Sequence, residues 1–234
     1  MRVPALLTLL LGASAHADMP LEEILQRLGA SEERKLAVPA CRSVERSVTE
    51  QLDKKGNVEG TLTRSYEVVR AGSTVLSRKL LAQTEEGDLA SQLKAEPKDP
   101  TKKEGDKPRL SPFHPRSQPD YRFESAPGPS EGLVTVTFTP VKADRQRMQG
   151  QAVVDAKTGK EQTVSMSPSA LPPMLQELRM DFLTYADTPC ERQPTRMKIS
   201  GVGGLLVYKI RFRTDVTLSG HQKVDAPGPA TDAR

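Results

Sequence analysis

The sequence predicts a mainly β (α+β) fold, a strongly curved antiparallel sheet or half-barrel of about eight to nine strands with a short N-terminal helix. Three observations predict it. First, Leu206, Tyr208, Ile210, Phe212, Val216 and Leu218 hold even positions while Lys209, Arg211, Arg213 and Asp215 hold odd ones, with Thr214 the one polar exception. Period-two alternation over this length marks a strand of ~40 Å at ~3.3 Å per residue, apolar on one face and wet on the other. Second, segments rich in Thr, Val and Ser alternate with turn signals. Third, helical spacing is clear only near the start of the chain, where Leu21, Ile24, Leu25 and Leu28 share one face.

Composition sets the frame. The chain has 234 residues, 27% charged and 36% hydrophobic, with 34 Lys+Arg against 30 Asp+Glu. There is no Gly triplet period, no sustained heptad, and no long apolar run beyond the first residues, which excludes collagen, coiled-coil and polytopic membrane classes. The small positive excess does not call for nucleic acid.

Taken in order, residues 1–17 read as a secretory signal: Arg2 as n-region, Ala5–Gly12 as h-region, Ala15-His16-Ala17 as cleavage signature and Asp18 as mature start. The run is too short for a membrane helix, which needs ~20 apolar residues. The expected location is therefore the periplasm or the exterior, an oxidising space. Cys41 and Cys190 are the only cysteines; they form one disulfide or remain two buried thiols, and the first is the simpler expectation.

Residues 19–28 predict a helix, with Glu22 and Glu23 at its positive end and Gly29 as its stop. Ser43–Leu52, Val58–Arg70 and Ser73–Gln83 predict three strands, separated by Lys55-Gly56-Asn57 and Ala71-Gly72-Ser73. Val44, Val48 and Leu52 also fit helical spacing, so the first of these has two readings. Residues 95–119 carry six prolines and a run of charges, which predicts an exposed, mobile excursion from a single domain spanning 18–220. Beyond it, Gly132–Thr139 alternates, and Gln151–Ala156 and Glu161–Met166 flank the turn Lys157-Thr158-Gly159-Lys160. Leu178, Met180 and Phe182 alternate next; Arg196–Ser200 then pairs with the long strand through Gly201-Val202-Gly203-Gly204, read as a tight turn or bulge. Residues 221–234 read as a disordered tail.

Catalytic chemistry finds no support. His114 and His221 have no ligand partners at metal spacing, there is no H-E-x-x-H or G-x-S-x-G, and the glycines at 201–204 precede a strand where a phosphate loop needs a helix. No enzyme, cofactor or metal is expected. The wet face of the long strand stands out instead: Lys209, Arg211 and Arg213, with Arg196 and Lys198 on its neighbour, place five cations on one surface. They are either a solvated face with acidic partners or a surface for anionic headgroups.

The run Gly150-x-Ala-Val-Val-Asp155-x-x-Thr-Gly159, then Leu171-Pro172-Pro173, Phe182, Pro194 and Gly201-x-Gly-Gly-Leu-Leu before a long strand resembles the periplasmic lipoprotein-carrier superfamily (LolA/LolB-like, with the outer-membrane lipoprotein-sorting domains). The resemblance covers roughly residues 120–220. It implies a curved half-barrel that binds acyl chains on its concave face and is not catalytic. On that expectation Val134, Val136, Phe138, Met180, Phe182, Leu206, Tyr208, Ile210 and Phe212 line the site, and the partner is a lipid or lipidated protein, with peripheral membrane-surface contact and a monomeric state. The competing expectation is an envelope interaction protein with a filled core and no small ligand.

Overall fold

The structure is a computed structural model that describes residues 19–72, 74–94, 110–205 and 208–225, apart from the side chains of Leu205 and Tyr208. The expected signal segment at 1–17, most of the Pro-rich segment (95–109) and the end of the tail (226–234) lie outside the described residues, as does Leu206. The described strands form one ten-stranded antiparallel sheet, ordered β3-β2-β1-β10-β9-β8-β7-β6-β5-β4. They are β1 (Cys41–Leu52), β2 (Val58–Ala71), β3 (Thr74–Gly87), β4 (Tyr121–Pro127), β5 (Leu133–Pro140), β6 (Met148–Asp155), β7 (Glu161–Pro168), β8 (Leu175–Thr188), β9 (Glu191–Leu205) and β10 (Tyr208–Lys223). The chain enters at the middle of the sheet, runs out to the β3 edge, restarts at the β4 edge and meanders back until β10 docks on β1. That docking decides the helix-or-strand question at β1, which pairs along its length with both β2 and β10.

The strand absent from the sequence reading is β4. Tyr121 and Phe123 do alternate there, but the strand is seven residues long and ends at a proline, which suits an edge position.

Helix α1 (Leu21–Ala37) is longer than expected. Acidic Glu22 and Glu23 in its first turn and basic Arg34 and Lys35 in its last suit the helix dipole. Gly29 does not stop the helix. It is a contact position: a Cβ there would stand 3.1 Å from Pro115 Cγ and 3.3 Å from the Phe113 carbonyl. Gln118 seals the crossing by donating to the carbonyls of Leu25 (3.0 Å) and Phe113 (2.8 Å). So the end of the Pro-rich segment is packed where exposure was expected. Phe113 is buried and meets Phe138 edge-on with centroids 5.2 Å apart.

The glycines at 201–204 are not the turn either. β9 runs through them, and Gly201 lies opposite Phe212, whose ring would stand 2.8 Å from a Cβ at 201. Leu205 pairs with Tyr208, so the pairing of β9 with β10 continues past the glycines.

α1 covers one half of one sheet face. Ile24 and Leu28 pack with Phe113 on Val134, Val136, Phe138, Ala152, Val154 and Val164. Each fully buried aliphatic or Phe side chain contributes about 1.5–3 kcal/mol of transfer free energy, so this cluster is the main apolar core.

A disulfide ties the β8–β9 tip to the start of β1. Cys41 begins β1 and Cys190 sits between β8 and β9. They are bonded, with Cα atoms 5.9 Å apart. In the sheet β10 stands between β1 and β9, and two strand spacings are ~9.6 Å. The contact forms because β9 leaves β10 after the Arg196–Thr217 pair, while β8 and β9 stay paired to Thr188–Glu191. The β8–β9 tip thereby leans over the start of β1. Thr188 holds the tip, its hydroxyl accepting from the Cys190 N–H (3.1 Å) and donating to the Glu191 carbonyl (2.7 Å).

Candidate functional site

Where the helix ends and the β8–β9 tip folds over, a cavity of about 220 Å3 remains. Phe182 on β8 and Met197 on β9 are register partners and form one wall. Leu218 on β10, Val38 beyond the helix and the Cys41–Cys190 bridge complete the apolar lining. Lys35, Arg70 and His221 add polar groups.

The polar groups are held in place. Lys35 donates to Glu32 (2.6 Å) and to the buried Glu161 (3.1 Å). Burial alone would lower the Lys35 pKa, yet the two carboxylates raise it above the ordinary lysine value, so the ammonium stays charged. Tyr185 is pushed far above the normal phenol range, mainly by burial and further by Glu161 and Glu32. Burial, aided by Arg70, lowers the pKa of His221, so its imidazole is neutral at pH 7.

The apolar positions expected to bind separate into groups. Phe182 lines the cavity. Met180 and Phe212 are half-buried on β8 and β10, and Ile210 is nearly covered. Val134, Val136 and Phe138 lie sealed beneath α1, at 4%, 0% and 0% exposure. Leu206 and the Tyr208 side chain are outside the described residues. His221, expected in a disordered tail, is part of β10, which continues to Lys223.

The β9–β10 register puts Arg196, Lys198, Lys209, Arg211 and Arg213 on the opposite face, all exposed. Acids are interleaved with them. Arg196 pairs with Asp215 at 2.7 Å, Arg213 pairs with Glu50, and Arg211 donates to the Lys54 carbonyl at 3.0 Å. The Arg196 guanidinium, helped by Lys198, holds the Asp215 carboxyl below the usual range. Among the described residues no three His, Cys, Asp or Glu side chains converge as metal ligands would.

Sequence reasoning missed Val38, Met197, Arg70 and Lys35. Met197 had a readable signal: Met197 and Ile199 alternate with Arg196, Lys198 and Ser200. The others had none, since their place in the cavity depends on a helix running past Gly29 and on a fold-over of the β8–β9 tip.

Solved structures align with most of this chain at low sequence identity. A LolA superfamily protein from Nitrosomonas europaea aligns at 10% identity and TM-score 0.39, covering 88% of this chain and 94% of that one. A DUF1329 family protein from Desulfovibrio piger aligns at 9% identity and TM-score 0.40, covering 92% and 96%. A provisionally named outer membrane lipoprotein-sorting protein domain from Vibrio parahaemolyticus aligns at 11% identity and TM-score 0.39, covering 86% and 92%. No family model and no curated protein matches the sequence.

Proposed function

We propose that this chain is an exported, non-catalytic binding protein of the cell envelope that holds an acyl chain, as a lipid or on a lipidated partner, in the cavity between the end of α1 and the sheet. The observation that carries this reading is the cavity itself. It is an opening of about 220 Å3 beside the end of the helix. Val38, Phe182, Met197 and Leu218 give it an adaptable apolar side suited to a lipid tail, with Lys35, Arg70 and His221 as polar groups at the same site. The bridged Cys41 and Cys190 suit an exported protein.

A second reading, an interaction protein with a filled core, draws support from the complete burial of Val136 and Phe138 under α1. The two readings divide on what travels with the protein. Native mass spectrometry of full-length protein purified from the envelope should show a mass increment that organic extraction removes and that contains an acyl chain. A bare chain mass under conditions that preserve lipid on a control carrier contradicts the first reading and favours the second.

A further inference from the structure

One strand from the cavity wall lies a partly buried charge cluster with more cation than anion. Glu45 on β1 is opposite Leu218 of β10, a cavity residue, and opposite Tyr66 of β2 on its other side. Its carboxylate accepts from Arg70 at 2.8 Å and from Arg78 at 2.5 Å. Among the described residues these two guanidiniums meet no other carboxylate within ion-pair range, so the cluster carries one net positive charge. Arg70 itself lines the cavity.

The donors are not used up. An arginine has five N–H donors, and the bonds to Glu45 use one NH2 group of each. The Arg78 Nε and the Tyr66 hydroxyl are both buried and have no hydrogen-bond partner, and Tyr66 is 6% exposed. Arg78 is held in place by stacking, its guanidinium 3.9 Å over the Tyr66 ring. A buried polar group without a partner is costly, and a positive cluster with free donors beside an apolar cavity is matched by an anion attached to an apolar tail.

Resting on the acyl-binding reading above, we infer that the ligand is an amphiphile with an anionic head, a carboxylate or phosphate ester. The head bonds Arg70, Arg78 and the Tyr66 hydroxyl, and the tail enters the cavity past Leu218. Glu45 keeps the two guanidiniums together when the site is empty.

The test is calorimetric titration of the full chain, at pH 7, with dodecanoate, dodecyl phosphate, 1-dodecanol and acetate. Both charged amphiphiles should bind about tenfold or more tighter than the alcohol, the range for a charge-assisted hydrogen bond, and acetate should bind far more weakly than dodecanoate. Arg78→Gln should abolish the preference for the charged amphiphiles over dodecanol. Tyr66→Phe, which keeps the ring under Arg78, should weaken the charged ligands about three- to tenfold, and it decides the matter should Arg78→Gln fail to fold. Equal affinity for dodecanoate and dodecanol overturns the head-group inference while leaving the binding reading intact. Acetate binding as tightly as dodecanoate overturns it too, by showing a free-anion site independent of the cavity. Failure of every amphiphile to bind removes both.

Discussion

The helix-facing side of this sheet has two halves, built from the same period-two strands and finished in opposite ways. Over β4–β7, Ile24 and Leu28 of α1 and Phe113 fill the space above Val136 and Phe138. Over β8–β10 and β1–β3 the same face carries the cavity at Phe182 and Met197, then the buried charged residues Glu45 and Arg64 beside buried Leu62, Tyr66 and Val68. A strand pattern settles which residues point inward, and it says nothing about what meets them there. The filled half is a stability device; on the proposed reading, the ligand is accommodated in the other half.

Substitutions that treat the halves differently sharpen this contrast. Phe138→Ala opens a void in the sealed half and should cost about 3–5 kcal/mol. Phe182 lines the cavity and packs against the edge of the core cluster, and with one side already open Phe182→Ala should cost less, roughly 1.5 kcal/mol, the low end of the transfer range. Urea unfolding of both variants compares them, and equal losses would mean that the cavity half is packed as a core.

Removing the bridge by Cys41→Ser with Cys190→Ser should cost about 2–5 kcal/mol, near the ~5 kcal/mol that the chain-entropy model gives for a loop this long. Hydrogen exchange should rise in the β8–β9 tip and at the start of β1, and stay unchanged in β5 and β6. Acceleration of β5 and β6 to the same degree would show that the two halves are not separable.

Gly29→Ala tests how the helix meets the filled half. An exposed mid-helix Gly→Ala change stabilises by up to about 1 kcal/mol. Here the added methyl meets Pro115 Cγ at 3.1 Å, and overpacking of this kind costs about 1–3 kcal/mol. Thermal unfolding reads the sign, and a rise in Tm contradicts the contact role of Gly29.

That glycine also shows what the sequence could convey. The long alternating strand, the hairpin turn at 157–160, the Cys41–Cys190 pair and the sheet class were legible, because periodicity, turn chemistry and a count of two cysteines are local or combinatorial signals. Gly29 and Gly201 misled for one shared reason. A glycine required by a close tertiary approach looks, in sequence, the same as a glycine required by a turn. The cavity was illegible because it is bounded by a helix extending past Gly29 and by a hairpin tip that leaves its own sheet neighbour. Neither event leaves a periodic trace. His221 was missed because Gly220, with φ 63°, interrupts the alternation one residue before it.

The smallest effect belongs to the opposite face. Arg211→Asp changes an exposed residue and should shift stability by no more than ~0.5 kcal/mol, whereas Ile210→Asp, one residue away and facing inward, buries an unpaired charge and should prevent folding. Circular dichroism melting of the pair checks the alternation directly, and equal destabilisation would place both positions inside.

The most direct test of the contrast between the halves is a methyl NMR titration of the 13C-methionine-labelled protein with dodecanoate. Met197 lines the cavity, while Met148 packs against the filled core. The Met197 methyl should shift in a saturable way while Met148 stays in place. A Met148 shift as large as that of Met197, or no movement of Met197 at saturating ligand, would contradict the division of this face into a filled half and a binding half.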